Sequence, residues 1–403
     1  MLRSLLFQKS HSIFKPALVF QRWLQLDSKP KKGYTNIRKG NDLTTANYYF
    51  ENGLRKVEPY FFSFEFYAKV RMYGSTVLDI FLREYRGRTE RYYRHAIEKG
   101  FITVNQQPTT ADTIIQHNDF ISHAVHRHEP PVTDTPIEII HEDDKLFVIN
   151  KPASIQVHPS GRYRHNTVLH IMRTELNYNV LFPSNRLDRI TSGLMLISKD
   201  AIEANRIGAE MRNGEIQKEY ICRVTGEFPT EPIVCSEPIK QLAYIVNLNY
   251  VDAAGKSCTT LFERIAFNGR TSLVRCKPLT GRTHQIRVHL RYLGYPIAND
   301  PIYGYSTAWS DQLGEQHQQV VQKMIDTAPY DYMDDDPLNY NGLPRCQVCN
   351  VPVPQSDPIP AQLSLWLHAY KYSGKNWSFQ TPTLPLWAND SFKQDDVIIP
   401  ASF

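Results

Sequence analysis

Residues 185–193 read Asn-Arg-Leu-Asp-Arg-Ile-Thr-Ser-Gly and run directly into Leu194-Met195-Leu196-Ile197. Four consecutive apolar residues behind a polar turn predict a buried strand. The charged triplet ahead of that strand is therefore held at the edge of a core. Asp188 stands between Arg186 and Arg189, and a carboxylate flanked by guanidiniums stays ionised. A Thr-Ser-Gly turn running into a buried strand would place it at the floor of a cleft. By itself, an Arg-x-Asp-Arg string is more often a surface ion pair on a loop, so the remaining segments decide.

Charge narrows the partners. Residues 1–41 hold nine of the 46 Lys/Arg and one of the 41 Asp/Glu, leaving 37 basic against 40 acidic residues elsewhere. The net +5 is thus a property of the N-terminus, and any nucleic-acid footprint must be a local basic cleft. The first 26 residues carry Arg3, Lys9, Lys15 and Arg22 with no acid, interleaved with Phe7, Phe14, Phe20 and Trp23. That is the composition of a mitochondrial presequence; the alternative is a basic tail that touches RNA in a cytoplasmic or nuclear protein. No run of about 18 apolar residues exists, so no membrane span is expected. At 403 residues the chain suffices for one large domain or two. The six cysteines are sparse and mostly sit in apolar strand-like segments, which suits buried thiols in a reducing compartment. A zinc site needs four ligands, and Cys346-x-x-Cys349 has no second Cys or His pair nearby apart from the distant His368, so an ordinary loop is the expectation and a structural zinc site the alternative.

Along the chain, residues 42–70 are aromatic and unassigned. Residues 75–127 show an apolar helical run (Val77, Leu78, Ile80, Phe81, Leu82), an Arg-rich stretch from Arg86 to Arg91, and a hairpin signal around Asn105-Gln106. Gln in place of the usual Gly weakens that turn. Prolines over 128–136 read as a linker. Ile137–Ile140 and Leu146–Ile149 flank a polar turn, a second hairpin signal. Asp200 with Glu203 three residues on predicts a capped helix to about Arg212. Residues 310–362 are Gln-rich, then acidic with many prolines, and read as an insertion with partial disorder. Apolar sequence resumes at Leu363.

Two further strings carry chemistry. Ile216, Lys218, Tyr220 and Cys222 alternate with period two and share one face of a strand. In Lys277-Pro-Leu-Thr-Gly-Arg-Thr-His-Gln-Ile-Arg-Val-His-Leu290, the residues Ile286, Leu290 and Leu293 form a helical stripe, with Thr283 as N-cap and Gly294 as stop. Arg282 then sits in the turn entering the helix.

Arg186-Leu-Asp-x-x-Thr-Ser-Gly193, Lys218-x-Tyr220 and Thr280-Gly-Arg-x-His-Gln-Ile-Arg-x-His289, in this order, resemble the motifs of the RluA-type pseudouridine synthases. The resemblance covers residues 137–309 and 363–390, and Asn185 departs from the histidine that many bacterial members place there. It implies an α+β fold with a central mixed, mainly antiparallel sheet and a catalytic cleft over 137–390, interrupted by the 310–362 insertion. Residues 75–127 resemble an S4-type RNA-binding module in front of it. The implied reaction is isomerisation of uridine to pseudouridine in structured RNA, with tRNA anticodon-loop position 32 as expected target. Ribosomal or messenger RNA, or an inactive RNA-binding protein using the S4-like module, are the alternatives. Asp188 is the implied catalytic carboxylate, Arg282 its ion-pair partner with Arg287 as second choice, and Tyr220 the base-stacking residue or proton acceptor. Arg186, Arg189, Lys218 and Arg287 are the implied RNA contacts. The reaction needs no cofactor and no metal, and no obligate protein partner is implied. A zinc deaminase fusion is excluded, because its His-x-Glu and Pro-Cys-x-x-Cys strings are missing.

Overall fold

A computed structural model describes residues 46–85, 88–178, 180–243, 248–304, 342–354, 356–389 and 392. The presequence-like tail and most of the expected insertion lie outside the described residues. In chain order the strands begin with β1 (Tyr48–Glu51), β2 (Leu54–Val57) and β3 (Tyr60–Tyr67). Helices α1 (Val77–Glu84) and α2 (Glu90–Glu98) precede β4 (Ile102–Val104), β5 (Gln107–Pro108), β6 (Phe120–Arg127) and β7 (Val132–Thr133). Then follow β8 (Glu138–Glu142), β9 (Leu146–Lys151), α3 (Val168–Leu176), β10 (Phe182–Pro183), β11 (Ser192–Ser198) and α4 (Ala201–Arg212). Next are β12 (Gln217–Thr225), β13 (Ile233–Cys235), β14 (Ile239–Ala243) and β15 (Leu248–Val251). Last come β16 (Thr260–Phe267), β17 (Thr271–Pro278), α5 (Gln285–Tyr292), β18 (Leu367–Ser373) and β19 (Ser378–Gln380).

The chain divides into two units, the smaller comprising residues 63–126 and 336–353 where these are described. In it, α1 and α2 bury Val77, Ile80, Phe81, Tyr93 and Ala96, and the β4–β5 hairpin follows the two helices. Thr76 and Thr89 cap the two helices, accepting from the amides of Asp79 and Tyr92. The β4–β5 turn forms without glycine: Asn105 and Gln106 both adopt positive φ, 52° and 63°. Asn105 offsets the strain by donating to Asp119 at 2.7 Å and accepting from the Phe120 amide at 2.9 Å.

The larger unit is built on a ten-stranded sheet in the order β13-β16-β17-β12-β18-β11-β9-β8, with β10 on β11 and β19 on β18. Every adjacent pair is antiparallel except β11 with β18, so the sheet is mixed and mainly antiparallel as expected. Leu194, Met195, Leu196 and Ile197 have no exposed surface, each burial contributing roughly 1.5–3 kcal/mol. Helix α4 starts at Asp200, whose carboxylate accepts from the Glu203 amide at 2.8 Å. The four cysteines Cys222, Cys235, Cys258 and Cys276 are buried thiols.

Two local expectations differ, at residues 128–136 and at the turn before β11. Residues 128–136 are not a solvated linker: β7 pairs with β2, and buried Glu129 accepts from Tyr60 Oη and from the amides of His165 and Asn166. β12 keeps its alternation, Tyr220 facing Cys276 and Cys222 facing Val274 on β17, while β18 opposite carries a bulge at Tyr370, Glu219 facing Lys371 and Tyr220 facing Ala369. Ser192 and Gly193 are strand residues, and the turn lies one step earlier, closed by the Thr191 amide on the Asp188 carbonyl at 3.1 Å. Gly193 is required there. Its φ is +114°, and a Cβ would lie 2.3 Å from the carbonyl oxygen of Ala369 on β18. Gly193→Ala is therefore expected to cost about 3 kcal/mol or more in urea unfolding; a loss below about 1 kcal/mol would contradict this packing.

Candidate active site

Asp188 sits in the loop between β10 and β11, at the end of the sheet where β11, β12 and β18 meet. Its side chain keeps 31% of its surface open, enough to be reached from outside. The cation that holds it is Arg287, which donates from Nη1 to Asp188 Oδ2 at 3.1 Å. Arg287 is 2% exposed and also clamps Asp300 through Nε at 2.7 Å and Nη2 at 2.8 Å. Asp300 completes its set with the amides of Ile302 and Tyr303 at 2.9 and 3.0 Å. Two carboxylates and one guanidinium thus form a chain, buried at Asp300 and Arg287 and open at Asp188, in which every charge has a partner.

Arg282, the expected partner of Asp188, lies elsewhere. It is exposed, and its Nε and Nη2 donate to the Ser257 carbonyl at 3.2 and 3.1 Å. The reason is local. Thr283 does not cap α5; His284 is the N-cap in the left-handed region at φ 56°. Gln285 folds back instead, its Oε1 accepting from the Arg282 amide at 2.9 Å while its Nε2 donates to the Thr259 carbonyl and Thr260 Oγ1. This turns Arg282 outward and Arg287, one and a half turns later, inward. Almost all of α5 is buried, Gln285 to Leu290 without a break, so Arg287 is not available as an RNA contact either.

His284 adds to the cluster, with Nε2 3.6 Å from Asp188 Oδ2 and Nδ1 2.9 Å from Tyr303 Oη. The Tyr303 hydroxyl accepts from the Asn249 amide at 3.1 Å, and in the tautomer where it donates to His284 Nδ1 the ring N–H stands on Nε2, facing Asp188. Burial and the Arg287 charge push His284 down to about 4, so the imidazole is neutral at pH 7. Burial also opposes ionisation of Asp188, but the charges of His284 and Arg287, the Arg287 hydrogen bond and Lys151 outweigh it, holding the carboxyl below its ordinary range. With His284 neutral at pH 7, the charges that do this there are those of Arg287 and the Lys151 ammonium.

Lys151 has no exposed surface. Its Nζ donates to the carbonyls of Pro152, Ile155 and Arg189 at 2.9, 2.9 and 3.0 Å. Burial pulls it down to about 7, with Arg189 lowering and Asp188 raising it. Three acceptors match the three N–H groups of the ammonium, whereas a neutral amine offers two.

Tyr220 on β12 meets Tyr372 on β18, hydroxyl to hydroxyl at 2.8 Å. Tyr372 accepts from Asn185 Nδ2 at 3.2 Å, and Asn185 Oδ1 accepts from the Leu196 amide at 3.1 Å. Asn185 therefore ties the Asp188 loop to the tyrosine pair. Burial first, and the Asp188 charge among its neighbours, push Tyr220 up to about 12, so it is a neutral phenol at physiological pH. Lys218 is half-buried, with burial lowering it. Arg186 is exposed beside Asp188, and Arg189 is half-buried with its guanidinium 5.4 Å from the Tyr163 ring. His368 is buried between Ser192 Oγ and Thr381 Oγ1, both at 2.9 Å, and does not join Cys346 and Cys349.

Asp300, Tyr303 and Tyr372 belong to the site although no sequence signal marked them; Lys151 also belongs to it, and Asn150-Lys151-Pro152 resembles the family without implying a role. Arg287→Gln is expected to cost about 3–5 kcal/mol in urea unfolding, because Asp300 is left buried without its cation. The pH dependence has a defined sign. Stability carried by Asp188 is present above its ordinary pKa of 3.8 and is lost as pH falls through the lowered value. In Arg287→Gln the acid limb of the stability curve should move upward; a limb that stays in place would detach Arg287 from Asp188.

Residues 145–292 match the sequence family described as RNA pseudouridylate synthase. The chain is 38% identical to Homo sapiens "Pseudouridylate synthase RPUSD2", covering 91% of this chain and 79% of that protein. It is 40% identical to the Saccharomyces cerevisiae "tRNA pseudouridine(32) synthase, mitochondrial", covering 83% of this chain and 77% of that protein. A second yeast protein, "tRNA pseudouridine(31) synthase", is 32% identical, covering 84% of this chain and 96% of that one.

Proposed function

Because the chain belongs to the RNA pseudouridylate synthase family and is an RNA pseudouridine synthase, we propose that Asp188 is its catalytic carboxylate and that its substrate is a tRNA anticodon-loop uridine. The observation that carries this reading is the state of Asp188: ionised, held by buried Arg287, and open over 31% of its side-chain surface. A carboxylate prepared in this way meets a nucleotide with its charge already fixed in place, so no reorganisation is needed when positive character develops at the ribose C1′. In the reaction the N1–C1′ bond breaks, the uracil turns, and C5 bonds to C1′. The C5 proton leaves and N1 takes one up, so the atoms balance without a co-reactant.

Tyr220 offers the flat face on which an extruded uracil stacks, and the Tyr372 hydroxyl fixes its orientation. Arg186, exposed beside Asp188, is suited to the space that the nucleotide leaves, since a planar guanidinium stacks where a base stood. Arg282 is reassigned from the aspartate to the lip of the cleft, where its charge meets phosphate. Arg91, Arg94 and Lys99 are exposed on and just after α2 and give the S4-like unit its RNA-facing charge.

The relative named a mitochondrial tRNA pseudouridine(32) synthase supports position 32 and the mitochondrial compartment, and the basic, acid-free first 26 residues point the same way. The relative named for position 31 makes that nucleotide the competing target. The test is pseudouridine mapping of total tRNA from cells lacking this chain, complemented with native protein or Asp188→Asn. Native protein should restore the mark at position 32 of mitochondrial tRNA. Asp188→Asn should not, with turnover down on the order of 10⁴-fold and RNA affinity within about threefold in vitro. A mark restored by Asp188→Asn would remove the carboxylate from the mechanism. Loss confined to position 31, to cytoplasmic tRNA or to ribosomal RNA would move the substrate and leave the enzyme.

A further inference from the structure

His126 is the next-to-last residue of β6 and His128 is the residue after the strand ends. Residues two apart on an extended run project to the same side. Cys346 and Cys349 lie against that side: the ligand atoms of His126, His128, Cys346 and Cys349 are all within 4.8 Å of one another. Cys346 Sγ and His126 Nδ1 are 3.6 Å apart, and the S–N edge of a tetrahedral zinc site is about 3.5 Å when the bonds are about 2.3 and 2.05 Å. Two sulfurs and two imidazole nitrogens are the donor set that zinc selects over harder cations.

The segment bearing the cysteines has the build of a metal knuckle. Cys346 Sγ accepts from the Val348 amide at 3.4 Å, and the Cys346 carbonyl accepts from the Asn350 amide at 2.9 Å. Asn350 turns the chain at φ 60°. The Cys346 amide donates to the Val351 carbonyl at 3.0 Å and the Val353 amide to the Pro344 carbonyl at 2.8 Å. Across residues 342–354, Val351 and Pro352 are the buried residues. So small an apolar contact does not hold a turn of this length, whereas a bound ion does, by closing it onto β6.

We propose that His126, His128, Cys346 and Cys349 bind one zinc ion that clamps the 342–353 segment to the end of β6. The metal is structural: with all four positions taken by side chains, none is left open for a reactive water. His126, Cys346 and Cys349 belong to one compact unit, and His128 follows within two residues of chain.

The test starts with the full-length chain purified without chelator from zinc-supplemented cells. Elemental analysis should give about one zinc per chain. Exchange for cobalt(II) should give the intense visible bands of a tetrahedral site together with thiolate-to-cobalt charge transfer. Zinc should protect Cys346 and Cys349 from alkylation in the native chain, a readout that needs no variant. Cys346→Ser/Cys349→Ser should lose the metal, and His128→Ala should lose it to a competing chelator at least about tenfold more readily. A native chain that stays metal-free after incubation with zinc chloride, a cobalt spectrum without thiolate bands, or zinc retained by the double serine variant would each overturn the proposal. So would isolation of the native chain with Cys346 and Cys349 joined as a disulfide and no metal.

Discussion

The guanidinium of Arg287, held between Asp300 and Asp188, is the interaction on which the site depends. A cation with 2% exposure is tolerated only where carboxylates repay its lost hydration, and the geometry has to be good for that to happen. Asp300 supplies the good geometry. It receives two prongs of the fork and two backbone amides, which fix the guanidinium plane. The remaining prong then points at Asp188, and the reactive carboxylate inherits its orientation from a residue that never leaves the interior. Gly304 completes this arrangement: its amide donates to the Asp300 carbonyl at 2.9 Å, and a Cβ there would lie 2.5 Å from that oxygen.

Lys151 does for the backbone what Arg287 does for the side chain. Its ammonium gathers carbonyls from the end of β9, from Ile155 and from Arg189. The third of these belongs to the residue directly after Asp188, so the loop is tied down beside its functional group. The Asn185 bridge to Tyr372 and Leu196 ties the other side. Anchored three residues before Asp188 and one residue after it, the loop has little freedom left, and preorganisation of this kind is what an electrostatic mechanism requires.

How much of this was legible follows from what each signal depends on. The strand at 194–197, the helix behind Asp200 and the closing strands obey local rules of periodicity and capping, and they stand where those rules put them. Asp188 was legible because its neighbours in sequence are also its neighbours in chemistry. Arg282 and Arg287 lie five residues apart in one motif, and sequence could not say which faces inward. The answer depended on Gln285 folding back on the turn, a tertiary event. Asp300 and Tyr303 lie in a loop without a motif. His126 and Cys346 are 220 residues apart, and that pairing has no trace in local pattern. The proline-rich 128–136 segment was read as a linker because composition reports solubility, not the burial of Glu129 between two amides and a phenol.

The place of β18 has a consequence for how the chain assembles. It lies between β11 and β12 in the middle of the sheet, yet it is made after almost everything else, some 170 residues beyond β11. Until it arrives, the two halves of the sheet share no hydrogen bonds, and Tyr220 lacks the hydroxyl that fixes it. Contacts of such separation make folding slow and leave strand edges open in the meantime. On the ribosome the chain therefore carries two unjoined half-sheets from the completion of β17 until β18 emerges, and catalytic competence arrives in one late step rather than growing with length.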